Sequence, residues 1–352
     1  MKNGVKQFAN LGVLLLLLCG MACFFRGAPR VSGMASETYV REFEVFNTQC
    51  RLTLHECSAT EGDAVFRELD TEMRALHNTL NAYDPESELS KLNNHAADEA
   101  VKCSDILWEI LLAARDGWRD SDGLFDVTVG PLLGLWGFHA KRSTWPTDDE
   151  IAAAKAKVGF DKLKLNEEAH TVRFGINGMK IDFGGIAKGF ALNKAIAVVK
   201  RHGLKSYLID LGGNIYCSEK APNGRKAYNI GVRNPRAEGD NVGVVSMTDC
   251  CIATSGDYER YRVIAGKKVG HLMDPRTGRP CGGVEGIGGV TVVVRNPTLS
   301  DVYSTTVFVG GETVAKRLAE TSLARPAFIF VYCDEESVKK VEMVGDVSFT
   351  RQ

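Results

Sequence analysis

The stretch I-D-F-G-G-I-A-K-G-F-A-L, from Ile181 to Leu192, decides how the rest of the chain is read. A short apolar segment carrying Asp182 runs into Gly184 and Gly185, then Lys188 and Gly189. Apolar positions follow at helical spacing, through Ala191, Leu192, Ala195 and Val198. This order predicts a strand, a tight glycine loop and a helix N-terminus. Glycines permit positive φ and close backbone approach. The unpaired N–H groups of a helix start attract anions, and Lys188 adds a mobile charge there. An ordinary strand-to-helix turn needs the same small residues, and the spacing G-x-x-x-x-G-K-[ST] of a Walker loop is absent. Just downstream, L-I-D-L-G-G-N-I repeats the theme from Leu208 to Ile215. Two such loops face one another across a cleft, or the second is a bulged hairpin without a ligand.

Toward the C-terminus, Tyr228 to Val232 and Val242 to Thr248 read as strands. The run from Cys251 to Pro280 then reads as a turn at Thr254-Ser255-Gly256, a strand, a hairpin at Ala265 to Lys268, and a strand delivering His271 and Asp274 into D-P-R-T-G. Thr254 and Ser255 offer hydroxyls and amides suited to phosphate or carbonyl recognition, and His271 donates or accepts at neutral pH. An isolated histidine is more commonly structural. After a β-branched strand at Gly288 to Val294, N-P-T-L-S-D-V-Y-S-T-T turns into a helix that places Asp301 and Thr305 on one face. Capping by Ser300 or Asp301 explains the acid but not the hydroxyl one turn on. A hard cation such as Mg²⁺, which takes one or two carboxylates plus other oxygens, explains both. Ala327 to Tyr332 closes the chain as a strand.

Toward the N-terminus, Tyr39 to Leu54 suggests a hairpin, and Glu61 to Leu80 carries a helical stripe through Leu69, Met73, Leu76 and Leu80. Tyr83 lies at the mouth of the Asp84-Pro85 turn, where it packs or stacks on a planar ligand, and Ser87 starts a short helix. A helix from Asp105 to Ser121 ends at Asp122-Gly123. Leu124-Phe125-Asp126 leads out, and Gly130-Pro131 breaks the chain again. Asp126 and Thr128 cap a helix or face a ligand. Residues 139 to 160 read as an exposed connector followed by a helix from Asp148 to Val158, and Leu163 to Phe174 reads as a hairpin.

The chain has 352 residues, room for one large domain or two modest ones. Its 43 Lys and Arg against 44 Asp and Glu leave a net charge of -1, so no overall field recruits nucleic acid. Ten cysteines include no C-x-x-C pair, which argues against structural zinc. Lys2, Lys6, the run Leu11 to Leu18 and Gly20-Met21-Ala22-Cys23 read as a lipoprotein signal peptide over 1–22, with Cys23 as the lipid-bearing residue. The alternative is an uncleaved N-terminal anchor. Residues 23–38 form a flexible tether and 39–352 the folded domain. This makes an exported protein, lipid-anchored to the inner membrane and facing the periplasm.

Taken in order, N-A-Y-D-P-E-S-E-L-S-K-L-N, D-G-L-F-D-V-T-V-G-P-L, I-D-F-G-G-I-A-K-G-F-A-L, L-I-D-L-G-G-N-I, A-T-S-G-D-Y-E-R-Y with H-L-M-D-P-R-T-G, and D-V-Y-S-T-T closely resemble the ApbE family of FAD:protein FMN transferases. The resemblance runs from about Tyr39 to the C-terminus. It implies an α+β, T-fold-like, two-lobed arrangement of mixed sheets and helices with the FAD cleft between the lobes. Carried over by position, Tyr83 and Leu124 to Asp126 line the flavin site. The segment Gly184 to Phe190, with Gly185 and Lys188, and His271-Leu272 hold FAD around its pyrophosphate and nucleotide parts, and Thr254 and Ser255 join them by their own chemistry. The backbone carbonyl of Ala187 and the side chains of Asp301 and Thr305 bind Mg²⁺. Asp301, Lys188 and His271 are the implied catalytic set, with the helix N-terminus near Lys188 sharing the phosphate charge and Asp301 orienting or deprotonating the attacking hydroxyl. The implied reaction attaches FMN through a phosphoester to a Thr or Ser of an acceptor flavoprotein, with release of AMP. Water in place of the hydroxyl gives FAD hydrolysis, and a flavin-holding protein without turnover is the third reading.

Overall fold

Alternation along the strands sorts the core onto two faces of one sheet. In the computed structural model, which describes residues 37–139, 141–282 and 286–352, Phe328 and Phe330 point into the main core while Ile329 and Val331 point into a second one. The signal peptide, Cys23 and the tether up to Ser36 lie outside the described residues.

The chain opens with β1 (Thr38–Val45), β2 (Thr48–His55), α1 (Ala59–Leu80), α2 (Glu88–His95), β3 (Val101–Lys102) and α3 (Asp105–Asp120). Next come α4 (Gly130–Leu135), α5 (Asp148–Lys155), β4 (Leu163–Asn166), β5 (Thr171–Phe174) and α6 (Ala187–Arg201). Then follow β6 (Tyr207–Leu211), β7 (Asn214–Cys217), β8 (Tyr228–Arg233), β9 (Asn241–Met247) and β10 (Cys250–Gly256). The hairpins β11 (Tyr261–Ile264) with β12 (Lys267–Gly270) and β13 (Met273–Asp274) with β14 (Arg279–Pro280) precede β15 (Gly286–Val294) and α7 (Pro297–Thr321). β16 (Ala327–Cys333), β17 (Val338–Val344) and β18 (Phe349–Arg351) end the fold.

Eight strands pair antiparallel in the order β1-β2-β6-β7-β10-β15-β16-β17. One face carries α1, α6 and α7 over the main core. The other is covered by the sheet β18-β9-β8, which supplies Val232, Val245 and Met247 to the second core. A satellite cluster of Leu132, Trp136, Phe138, Ile151, Ile264 and Val269 joins α4, α5 and the β11–β12 hairpin. The helix starts follow from their caps. Ser58 forms a capping box with Glu61, and the hydroxyls of Ser87 and Ser104 accept from the backbone N–H of Ser90 and Leu107. Each cap is worth about 1 kcal/mol.

Four local expectations change. Gly130-Pro131 begins α4 rather than breaking the chain, because proline at the first helical position gives up only an N–H that is unpaired there anyway. The helix from Asp148 stops at Lys155. Thr254-Ser255-Gly256 is no turn but the end of the central strand β10, paired with β15. Ile181 to Phe183 forms no strand. The backbone N–H and carbonyl of Ile181 are instead satisfied by the side-chain amide of Asn93, at 2.7 and 2.9 Å, so one asparagine stands in for a neighbouring strand.

Candidate active site

Asp182 holds the glycine loop from inside. Its Oδ1 accepts from Gly184 N–H at 2.7 Å, its Oδ2 lies 3.1 Å from His139 Nε2, and its own N–H donates to the Val127 carbonyl. Burial pushes its pKa up, but the bonds from His139 and Gly184 outweigh that and hold the carboxyl below its usual range. With the loop fixed, Ala187 N–H bonds to the Phe183 carbonyl and α6 begins.

Close approach sets the small residues of this segment. Gly184, Gly185 and Gly189 do not adopt positive φ. A Cβ on Gly189 would sit 2.4 Å from the Pro297 carbonyl and 2.8 Å from Asp301 Cβ, so glycine here lets α6 touch the first turns of α7. Across that contact Gly189 N–H donates to Asp301 Oδ2 at 3.1 Å. A Cβ on Gly185 would lie 3.3 Å from both the Phe125 ring and Thr305 Oγ1. Asp301 itself is only 5% exposed. Below it, Ser255 Oγ donates to Ser304 Oγ at 2.9 Å and Ser304 Oγ donates to the Asp301 carbonyl at 2.9 Å.

These segments enclose one cleft of about 880 Å³, counting the open solvent at its mouth. Leu124, Phe125 and Asp126 line it from the loop after α3, and Gly184, Gly185 and Lys188 from the start of α6. Thr254 and Ser255 line it from β10, His271 and Leu272 from the segment after β12, and Asp301 and Thr305 from α7, with Tyr83 at the rim. Leu133, Phe138 and Met273 of the satellite cluster or beside it close the other wall, so the cleft lies where main core and satellite meet.

Several expected residues have duties of their own. Asp126 Oδ1 accepts from the N–H and hydroxyl of Thr128, and Oδ2 from Phe160 N–H, so this carboxylate builds the loop rather than capping a helix. Its pKa is raised by burial, against these three bonds. Thr254 Oγ1 shares a hydrogen bond with Thr291 Oγ1 at 2.8 Å. Ala187, 8% exposed, stands at the first position of α6 beside Lys188 but is not itself among the residues lining the cleft. Phe190 is not among the lining residues; it packs in the main core with the Lys194 ammonium 5.3 Å from its ring centre. Two positions past Lys188 is about 200° around a helix, which turns Phe190 away from the cleft. The second diglycine is not brought to the cleft either. Gly212 and Gly213, at φ +62° and +90°, form the two-residue turn of the β6–β7 hairpin.

The structure adds residues that the sequence reading missed. His139 bonds Asp182 and packs edge-on against Tyr83, with ring centres 5.5 Å apart. The Arg260 guanidinium donates to the Tyr83 hydroxyl at 3.3 Å, and the Arg260 carbonyl lies 3.0 Å from His271 Nδ1. A carbonyl only accepts, so Nδ1 carries the proton and Nε2 keeps an open lone pair. Burial, and the neighbouring Arg260 and Lys188 cations, bring the His271 pKa down to about 4, leaving a neutral ring at pH 7. Tyr83, His139, Asp182, Arg260 and His271 thus form one connected wall. The only signal for it was the E-R pair inside D-Y-E-R-Y, since His139 lies in a stretch without pattern.

An antiparallel sheet backed by helices, with a cleft at a helix N-terminus lined by a lysine and a buried aspartate, defines an α+β protein built to receive an anionic ligand. The ApbE family model matches residues 46–330, and the chain belongs to that family. A relative from Treponema pallidum (strain Nichols), an FAD:protein FMN transferase, is 31% identical over 337 residues, covering 91% of each chain. The FAD:protein FMN transferase of Haemophilus influenzae is 30% identical over 260 residues, 72% of this chain and 74% of the relative. Among solved structures, the ApbE protein of Thermotoga maritima superposes with a TM-score of 0.77 at 28% identity, covering 88% of this chain and 97% of its own. The flavin transferase ApbE of Vibrio cholerae gives 0.75 at 25% identity with the same coverage.

Proposed function

We propose that the chain is a Mg²⁺-dependent FAD:protein FMN transferase that joins FMN through a phosphoester to a Thr or Ser of an acceptor flavoprotein and releases AMP. The observation that carries this reading is the meeting of Lys188, the α6 N-terminus, Asp301 and Thr305 in one cleft with Tyr83 and His271. The donors available for a metal are all oxygen: one carboxylate on Asp301, one hydroxyl on Thr305 and the backbone carbonyl of Ala187. No group of three or more His, Cys, Asp or Glu suited to another metal occurs among the described residues. One carboxylate with neutral oxygens, and room for substrate phosphate, fits magnesium. When bound there, the ion neutralises diphosphate charge and makes AMP a better leaving group.

The chain's own residues do the rest. The Lys188 ammonium and the Lys188 backbone N–H, at the positive end of α6, draw the diphosphate in and share its charge. Tyr83, Leu124 and Phe125 give the flavin an apolar and aromatic seat. The acceptor oxygen forms its bond to the FMN phosphorus as the bond to the AMP phosphate breaks. Asp301 Oδ2 is held by Gly189 N–H and its carboxylate would hold the cation, while neutral His271, with Nε2 open, takes the hydroxyl proton. Water reaching the same position yields FMN and AMP without an acceptor. The signal peptide, Cys23 lipidation and periplasmic location belong to the same reading, because the basic, apolar and small-residue order of residues 1–23 supports export with a lipid anchor.

The test is incubation of the protein with FAD, Mg²⁺ and an acceptor, followed by denaturation and mass spectrometry. FMN is expected on an acceptor Thr or Ser, and AMP in equal amount. Asp301→Ala is expected to lower transfer by about a hundredfold or more with its unfolding midpoint retained. Unchanged transfer by that variant would overturn the assignment.

A further inference from the structure

A second cleft lies at the far end of α6, about 22 Å along the helix from the active site. Lys200, Lys205, Lys220, Arg225 and Lys226 line it, against Glu219 and Asp249. Lys220 pairs with Glu56 at 2.6 Å, and Asp249 accepts from the Tyr216 hydroxyl at 3.0 Å. Lys200, Lys205, Arg225 and Lys226 have no ion-pair partner among the described residues. A basic residue in the last turn of a helix is explained by the helix dipole, and that accounts for Lys200. It does not account for Lys205, Arg225 and Lys226, which lie outside the helix.

Tyr207, 1% exposed, lines this cleft beside Tyr216, with ring centres 5.7 Å apart. The cleft also sits where the chain enters the fold: Glu56, the partner of Lys220, follows His55, which pairs across the hairpin with Thr38 at the start of β1. Fourteen residues separate Cys23 from Thr38, a reach of at most about 50 Å.

We infer that this cleft binds the phosphates of anionic phospholipid headgroups, so that the domain docks on the membrane with the C-terminal end of α6 toward the bilayer. The active site, at the other end of that helix, then faces away from the lipid and toward acceptor proteins. The inference rests on the lipid-anchor reading, and one experiment separates the two.

Full-length lipidated protein is bound to vesicles of phosphatidylcholine alone or of phosphatidylcholine with phosphatidylglycerol. Its lysines are acylated briefly and located by mass spectrometry. Flotation with the neutral vesicles reads the anchor; the difference in labelling between the two vesicles reads the cleft. Labelling of Lys205 and Lys226 is expected to fall about fivefold on the anionic vesicles and to recover in high salt. Lys226→Glu is expected to weaken the protection of Lys205 while leaving transfer to a soluble acceptor unchanged. Equal labelling on both vesicles would overturn the inference, and so would equal protection by inorganic phosphate on neutral vesicles, which marks a site for a free anion. Protein that fails to float with neutral vesicles refutes the anchor, yet its labelling on anionic ones still decides the cleft.

Discussion

Two pairs of adjacent glycines stand in this chain after an apolar stretch with an aspartate, and they do opposite things. Gly184-Gly185 keeps ordinary backbone angles and is glycine because neighbours fill the space: Asp182 beside the first, Phe125 and Thr305 beside the second. Gly212-Gly213 takes φ +62° and +90° to turn a hairpin, and the second of them has open space around it. The first pair lets a helix start meet α7 at a cleft; the second only reverses the chain. The same dipeptide thus marks crowding in one place and curvature in the other.

Substitutions sharpen this contrast. The largest effect is expected at Gly189, which continues the crowded segment. Gly189→Ala sets a methyl against the backbone of Pro297 and forces α6 from α7, at a cost of about 3 kcal/mol in chemical denaturation, with loss of transfer. Gly213→Ala costs about 1 kcal/mol from its left-handed backbone alone, and transfer is unchanged. Gly185→Ala is expected to cost less stability than that, since its neighbours need yield by only a few tenths of an ångström, but to raise KM for FAD. If Gly185→Ala left KM unchanged while Gly213→Ala raised it, the two loops would have exchanged roles.

A smaller effect appears with pH. His271 is held neutral with a folded pKa of about 4, below its ordinary 6.5. Between those values the unfolded chain binds more protons, so stability contributed by the neutral ring is lost as pH falls through that window. Activity that needs neutral His271 holds until near pH 4. A kcat/KM profile of the metal-loaded enzyme falling instead near 6.5 would show an imidazole open to solvent.

Much of the frame was legible because its signals are local. The stripe Leu69, Met73, Leu76 and Leu80 announces α1, Ser87 announces α2, and Ala265-Gly266 announces the β11–β12 turn. The misreadings are nonlocal. Ile181 to Phe183 looks like a strand, yet its backbone partner is a side chain 88 positions away, on Asn93. Thr254-Ser255-Gly256 has turn composition but is held extended by β15. Lys188, His271 and Asp301 were joined in the sequence only through the order of the family's motifs. His139 and Arg260 lacked even that, because their role arises from contacts with Asp182 and Tyr83 across the cleft.

One location must hold both the cation and the diphosphate. Crystals soaked with FAD and Mn²⁺ in place of Mg²⁺, measured for anomalous scattering, test it most directly. A peak is expected within about 2.5 Å of oxygens from Ala187, Asp301 and Thr305, with the FAD diphosphate beside Lys188. A peak away from these residues, or FAD lying outside this cleft, would contradict it.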